Sequence, residues 1–360
     1  MAKVVTGIDL SEHSWRIVSV SRSGKGQLRI EGYSRLPAPP FQLSDFVGPD
    51  SEDSELIPVL TNWAAEVNPE LAPFIAGSSA IVVGLPQDLV TCRVLSVPFS
   101  QESRIARLLP VEVESNLLDD SEDLLFDYSP LARNQECTRL ISAALERDRL
   151  RGCLDHLKLL SMDPSSLTST GLSFHRLARL FPDRLGNGTG RVLFLHLAED
   201  RAQLGAVEGG ATVFALPMPR PFTGEGNGSG PELSPRFLSV LERSLHFFES
   251  YSADGGGCPP PVRQVILLGE SADDFLAEHL SRLLGLSVRP FQLPDEVLET
   301  GGEIPRELHA DLAPALALAL QPLQPGRAVN FRREEFTYRP ESRAILARLI
   351  FPAILIVLIV

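Results

Sequence analysis

Cysteine is scarce in this 360-residue chain: Cys92, Cys137, Cys153 and Cys258 are scattered, with no C-x-x-C pair and no histidine at ligand spacing, which argues against a zinc site or redox pair. No charged and then apolar leader opens the sequence, so the chain is expected to start in a reducing cytoplasm with its thiols buried and inert. Positive charge is short as well, with a net charge of −13. An acidic body repels phosphate backbones, so nucleic acid is not an expected partner. The glycine-dense loop over 224–230 lacks both the Lys-Ser/Thr of a P-loop and G-x-G-x-x-G spacing, and reads as a flexible surface loop. No Ser/His/Asp or Cys/His set follows from spacing, so no catalytic residue is named. The 44% hydrophobic and 22% charged residues belong to a globular chain, and its length suggests two or more compact units.

The charge that is present is unevenly placed. Residues 327–360 hold six Arg and three Glu, a net +3, which leaves −16 on residues 1–326. This basic tail runs into twelve apolar residues, 349–360, enough for roughly 18 Å of helix against a hydrocarbon core of about 30 Å. The run, with Leu349, Ile350, Phe351, Ile354, Leu355, Ile356 and Val357, has no polar face. It is expected to belong to a transmembrane helix over 344–360 that a longer natural chain completes, the alternative being a buried C-terminal helix. Arg332, Arg333, Arg339, Arg343 and Arg348 precede the span in a basic juxtamembrane linker over 322–343, which orients the body toward the cytoplasm. Those charges are either topogenic only or in contact with anionic lipid.

Along the body, residues 4–10, 15–20 and 28–33 read as an antiparallel meander, followed by a Pro-rich stretch, a helix over 54–67 and a buried strand over 79–85. A small subdomain is expected as an insert over about 98–163, with helices over 102–117 and 147–160 and strands over 124–128 and 138–144. After the 186–188 linker the meander repeats at 192–197, 203–207 and 212–216. A helix capped by Ser234 then buries Phe237, Leu241, Leu245 and Phe248. A core strand over 265–269, a helix opened by a capping box at Ser271 and Asp274, and an Ala/Leu-rich helix over 308–320 complete the body. The expected domains are a first lobe over 1–188 and a second over 189–321.

Two meanders each followed by helices are similar to the actin-like ATPase superfamily, an α/β fold of ribonuclease H-like type. In order, Gly7-Ile8-Asp9-Leu10, Phe126-Asp127-Tyr128 and Glu242-Arg243-Ser244-Leu245 resemble motifs of the type IV pilus M family, and the resemblance spans residues 1 to about 321. That family binds a short Asn-containing peptide of a separate membrane protein. Here residues 329–336, with Asn330, and the apolar run share one chain, which is similar to the L family of the type II secretion system. The resemblance implies a single-pass inner-membrane protein of bacteria, its body docking the N-terminal domain of the secretion ATPase. Its membrane end would pair with the M protein of that system and other platform components, as a homodimer.

Actin-like ATPases hold nucleotide with glycine-containing turns, because backbone N–H groups must reach phosphate with no Cβ in the way. In the first turn Asp9 is followed by Ser11, Glu12 and His13; the second is His196, Leu197, Ala198, Glu199 and Asp200; the adenosine turn is Gly269-Glu270. Each departs from the family's glycine pattern and has a nearby carboxylate that repels polyphosphate. The chain therefore reads as a pseudo-ATPase with no cofactor or metal, the alternative being an ATP-binding pilus M protein acting as a switch. Asp9 alone is also explained by turn capping, and His196 by a hydrogen-bonded core histidine. Glu112, Glu114, Asp119, Asp120, Glu122 and Asp123, followed by Asp127 and without an intervening Lys or Arg, form either a solvated acidic loop or a face that steers a basic partner.

Overall fold

The structure, a computed structural model, describes residues 3–11, 13–24, 27–39, 56–114, 123–133, 137–180, 190–199, 201–223, 232–250, 261–294, 298–300 and 304–339. Glu12, Asp119, Asp120, Glu122, Asp200, Cys258, Arg343, Arg348, the 186–188 linker, the 224–230 loop and the 344–360 segment lie outside the described residues. Among the described residues no helix is long and apolar enough to cross a membrane.

Apolar residues at strand period open the chain as β1 (Val4–Asp9), β2 (Ser14–Arg22) and β3 (Leu28–Pro37), followed by α1 (Leu56–Gly77) and β4 (Ala80–Leu85). Next come β5 (Thr91–Val97), α2 (Glu102–Glu114), β6 (Leu124–Arg133), β7 (Thr138–Glu146), α3 (Arg147–Leu159), β8 (Ser166–Ser169) and the single turn α4 (His175–Ala178). The second half holds β9 (Arg191–Leu197), β10 (Ala202–Glu208), β11 (Ala211–Met218), α5 (Pro235–Ser250), β12 (Val262–Leu268), α6 (Asp274–Leu284), β13 (Ser287–Pro290), β14 (Leu298–Thr300) and α7 (His309–Ala319).

Two sheets repeat one plan. The first has the order β14-β3-β2-β1-β4-β8 and the second β11-β10-β9-β12-β13. In each, an antiparallel meander is continued by two parallel strands from its first strand. Both plans put the carboxyl ends of the parallel strands at a place where strand order reverses, where α/β sheets form their clefts. The small subdomain is the antiparallel sheet β5-β7-β6 with its own core of Val97, Ile105, Leu109, Val113, Tyr128 and Leu140.

Several expectations need correction. The inserted sheet starts at Thr91 rather than 98, because β5 pairs along β7 from Thr91 to Val97. The first helix runs on from Val67 to Gly77 through Pro69 and Pro73. There Leu71 is buried and Phe74 packs against the same core as Trp15 and Trp63, so tertiary packing outweighs the lost backbone bonds. The N-cap of α6 is Asp273, whose carboxylate accepts the Leu276 N–H at 2.7 Å, not Ser271. The predicted face of α5 is buried as Phe237, Leu241, Leu245 and Phe248. Burial pushes the Cys92 and Cys153 thiols up to about 12.

Residues 327–338, within the expected 322–343 linker, are packed on the body. Val329, Phe331 and Phe336 are buried in the first-lobe core. Asn330 Oδ1 accepts the Leu167 N–H at 3.0 Å and the Phe331 N–H donates to Leu167 O at 2.8 Å, so the segment completes the exposed edge of β8. Asp127, expected on the acidic face, is buried and accepts from Arg327, Arg333 and the Asn330 N–H. Arg147 holds Glu334 and Glu335, each at 2.7 Å, and Arg332 pairs with Asp163 at 2.8 Å. Arg332 and Arg333 thus take part in this packing, whereas Arg339 is exposed.

Helix α7 joins the two halves. All ten residues from Ala310 to Ala319 are buried, and the helix lies on β1, β2 and β4 of the first sheet and on β12 of the second. Its approach to β1 is so close that a Cβ on Gly7 would sit 2.1 Å from Ala315 O and 2.4 Å from Ala319 N. Because both contacts are helix backbone, the added atom finds no side chain to displace. Gly7→Ala is expected to destabilise the protein by about 2–4 kcal/mol in urea unfolding, while Gly24→Ala stays within about 0.5 kcal/mol. Gly24 faces open space. Equal unfolding midpoints for the two variants would remove this account.

Candidate functional site

The site is built on a row of charges across three neighbouring strands. Register pairs Asp9 with Arg16 and Arg16 with Arg35, so the side chains of the last residue of β1 and their partners in β2 and β3 line up at one end of the sheet. Arg16 is completely buried where the two halves and α7 meet. Its Nε donates to Asp311 Oδ1 in the first turn of α7, and its Nη1 donates to Ser11 Oγ at 3.2 Å. Asp9 Oδ2 lies 3.9 Å from Nη1, and Glu270 Oε2 of the second lobe lies 3.4 Å from Nη2. Arg35 closes the group on Glu270 from the solvent side. Two exposed pairs cross the same gap, His13 with Glu199 at 3.9 Å and Arg201 with Asp88 at 3.1 Å. Such exposed pairs contribute about 0–1 kcal/mol each.

Burial pushes the Arg16 pKa down, but Asp311 and Asp9 outweigh it and the net direction is up, so the guanidinium stays charged. Burial also dominates at Asp9 and raises its pKa from 3.8 to about 6, against the lowering effects of Arg16 and of the Thr170 hydroxyl, which donates to Oδ1 at 2.6 Å. Oδ2 of Asp9 has no hydrogen bond, which suits an oxygen that takes up a proton first.

Of the residues singled out in the sequence, the structure brings Asp9, Ser11 and Glu270 together around Arg16. Gly269 adjoins them, with φ +98° and its N–H donating to Ala310 O at 2.7 Å. A Cβ there would lie 2.2 Å from Leu197 O, so this glycine is needed to let the ends of β9, β12 and α7 meet. His196 is buried in β9 with Nδ1 2.7 Å from Gln203 Nε2, and Ala198 is buried in the turn that its N–H closes on Arg201 O at 2.9 Å. Neither reaches the Arg16 group. Glu112 and Asp123 are exposed at the small subdomain, away from the cleft, and Glu114 ends α2.

Sequence reasoning missed Arg16, Arg35 and Asp311. Arg16 shares its strand face with Val18 and Val20, both fully buried, and Asp311 is the one acid in a helix otherwise of His, Ala, Leu and Pro. A lone charge on each of two buried faces is a legible signal, since a buried charge needs a partner of opposite sign.

No protein-family profile matches the chain, and no curated protein matches it by sequence. Among solved structures, a chain of the PilM–PilN type IV pilus biogenesis complex superposes with a TM-score of 0.70 at 19% identity, covering 90% of this chain and 99% of that one. The chain has the actin-like ATPase fold. The cytoplasmic domain of EpsL, an inner membrane component of the type II secretion system of Vibrio cholerae, matches over 93% of this chain and all of its own, at 13% identity and a TM-score of 0.46. The ethanolamine utilization protein EutJ of Carboxydothermus hydrogenoformans covers 89% of each chain at 13% identity and a TM-score of 0.41.

Asp9 gives the site a signature in pH. Its folded pKa exceeds the unfolded value, so its contribution to stability is fully present below about pH 4 and is lost as pH rises through about 6. That loss is on the order of 3 kcal/mol. Asp9→Asn, which still accepts from Thr170, is expected to remove this fall from a series of urea-unfolding curves between pH 4 and 7. Parallel curves for the variant and the unaltered protein would show that Asp9 does not titrate this way.

Proposed function

We propose that this chain is a non-enzymatic component of a bacterial type II secretion platform, tethered in the inner membrane with its actin-like body in the cytoplasm. The body docks the N-terminal domain of the secretion ATPase, and the membrane end pairs with the M protein and other platform components, as a homodimer. The observation that carries this reading is the 327–338 segment, packed on the edge of β8 through Asn330 and on Asp127, immediately before the basic and apolar tail. In the PilM–PilN complex the two proteins are separate; in this reading the segment is the second partner carried in cis, so that force or movement at the membrane reaches the body directly. The acidic residues Glu112, Glu114, Asp119, Asp120, Glu122 and Asp123 offer the ATPase a negative face.

The same reading makes the chain a pseudo-ATPase. Arg16 is already held among Asp9, Asp311 and Glu270, an excess of carboxylates over cations, and a polyphosphate would meet Glu199 and Glu270. A nucleotide-dependent pilus switch is the second reading, favoured by the overlay on a chain of the PilM–PilN complex.

Calorimetry of the full chain with Mg-ATP is expected to give no saturable heat, and micromolar affinity would replace the first reading by the second. In cells, the full chain is expected to float with membranes while a chain stopped after Arg339 stays in the soluble fraction. Equal partitioning of the two would remove the tether.

A further inference from the structure

The surface holds a second charged feature, remote from the cleft carboxylates and independent of the secretion reading. A cavity of about 80 Å³ opens where the first lobe, the second lobe, the small subdomain and the chain after α7 meet. A water needs roughly 10–15 Å³ of such space, so the cavity admits an anion of several heavy atoms. Arg176 and Arg179 lie on its wall together with Thr168 and Ser173, and with Ser129 and Thr212, whose hydroxyls donate to Arg327 O and Leu172 O. Among the described residues the lining contains no Asp or Glu.

Both arginines converge on one turn. Arg176 donates through Nη1 to Pro325 O at 2.6 Å and through Nη2 to Gly326 O at 3.1 Å, while Arg179 donates to Pro325 O at 2.5 Å and to Gly210 O at 3.0 Å. Gly326, at φ +104°, lets them close: the position of a Cβ there is 3.8 Å from Arg179 and 3.9 Å from Arg176. Carbonyl dipoles are the only acceptors these groups have among the described residues, and neither has a carboxylate partner there. Arg176 is 1% exposed and its Nε, buried as well, has no hydrogen-bond partner. Burial, and then the neighbouring Arg179 charge, lower Arg176 to about 10. His175, on the same wall, is pushed well below its usual value by burial and by both arginines, so it adds no charge. Two guanidinium groups side by side without a counter-charge repel each other, and a buried charge in that state is costly.

We propose that this cavity binds a small tetrahedral oxyanion of the inorganic phosphate class between Arg176 and Arg179. The anion accepts from the free Arg176 Nε and from the Thr168 and Ser173 hydroxyls, and ties the Pro325–Gly326 turn, from which the 327–338 segment departs, to the junction of the lobes. A planar guanidinium suits such a ligand because it presents paired donors to two oxygens at once.

Thermal unfolding of the full chain is measured in sodium phosphate and in sodium chloride at equal ionic strength, with calorimetric titration of phosphate as the direct check. The unaltered protein is expected to show a saturable, phosphate-specific rise in Tm, and Arg179→Gln to weaken phosphate affinity about tenfold or more. Arg282→Gln, on the solvent face of α6, is expected to respond like the unaltered protein. Arg176→Gln removes a buried group and tests the fold as well; if it does not fold, the half-buried Arg179 carries the comparison. No saturable heat with the unaltered protein, or an equal phosphate response in Arg179→Gln, overturns the site.

Discussion

A guanidinium group out of water needs acceptors close by, and at the fully buried Arg16 these are carboxylates from three separate parts of the chain. Arg16 leaves β2 into the cleft and meets Asp9 from the neighbouring strand, Asp311 from the last helix and Glu270 from the second lobe. Removing one partner of such a buried group typically costs about 3–5 kcal/mol, because the remaining charge is left without compensation. The position of α7 therefore matters twice. Gly7 of the first sheet meets its backbone at Ala315 and Ala319, Gly84 meets its Leu318 side chain, and its first turn delivers Asp311 to the cation.

The edge of the first sheet poses the complementary problem of unpaired backbone groups. Strand β8 ends the sheet order, and its Leu167 has both its N–H and its C=O taken by the chain 163 and 164 residues further on, through Asn330 Oδ1 and the Phe331 N–H. Asparagine serves here because its side-chain amide imitates a peptide group and can stand in for a ladder partner. Asp127 then gathers Arg327, Arg333 and the Asn330 N–H, so the segment is held by charge on one side and by the buried Phe331 on the other. Whatever follows residue 338 is thus anchored to the first lobe and the small subdomain together.

Much of the architecture was legible beforehand. The two meanders follow from alternation and from short apolar runs bounded by turns, and the buried face of α5 from its i, i+4 spacing. The missed elements share a cause: β5 carries a half-exposed pattern, β13 and β14 are four and three residues long, and the 327–338 segment has no period at all. Each is held by long-range pairing, which leaves no local trace. The site was legible in part. Asp9, Ser11 and Glu270 could be singled out in the sequence, but the cation that unites them could not.

By itself the sequence determined that this is an α/β chain of two similar lobes with an acidic body and a basic, apolar tail, because strand and helix periods and net charge are properties of neighbouring residues. Only the tertiary structure decided that Gly269 serves backbone approach, that Arg332 and Arg333 hold a folded segment, and that Arg176 and Arg179 meet at the Pro325 carbonyl with no carboxylate partner among the described residues. These depend on distances between residues far apart in the chain, and electrostatic energy in a dry interior is set by such distances rather than by order along the sequence.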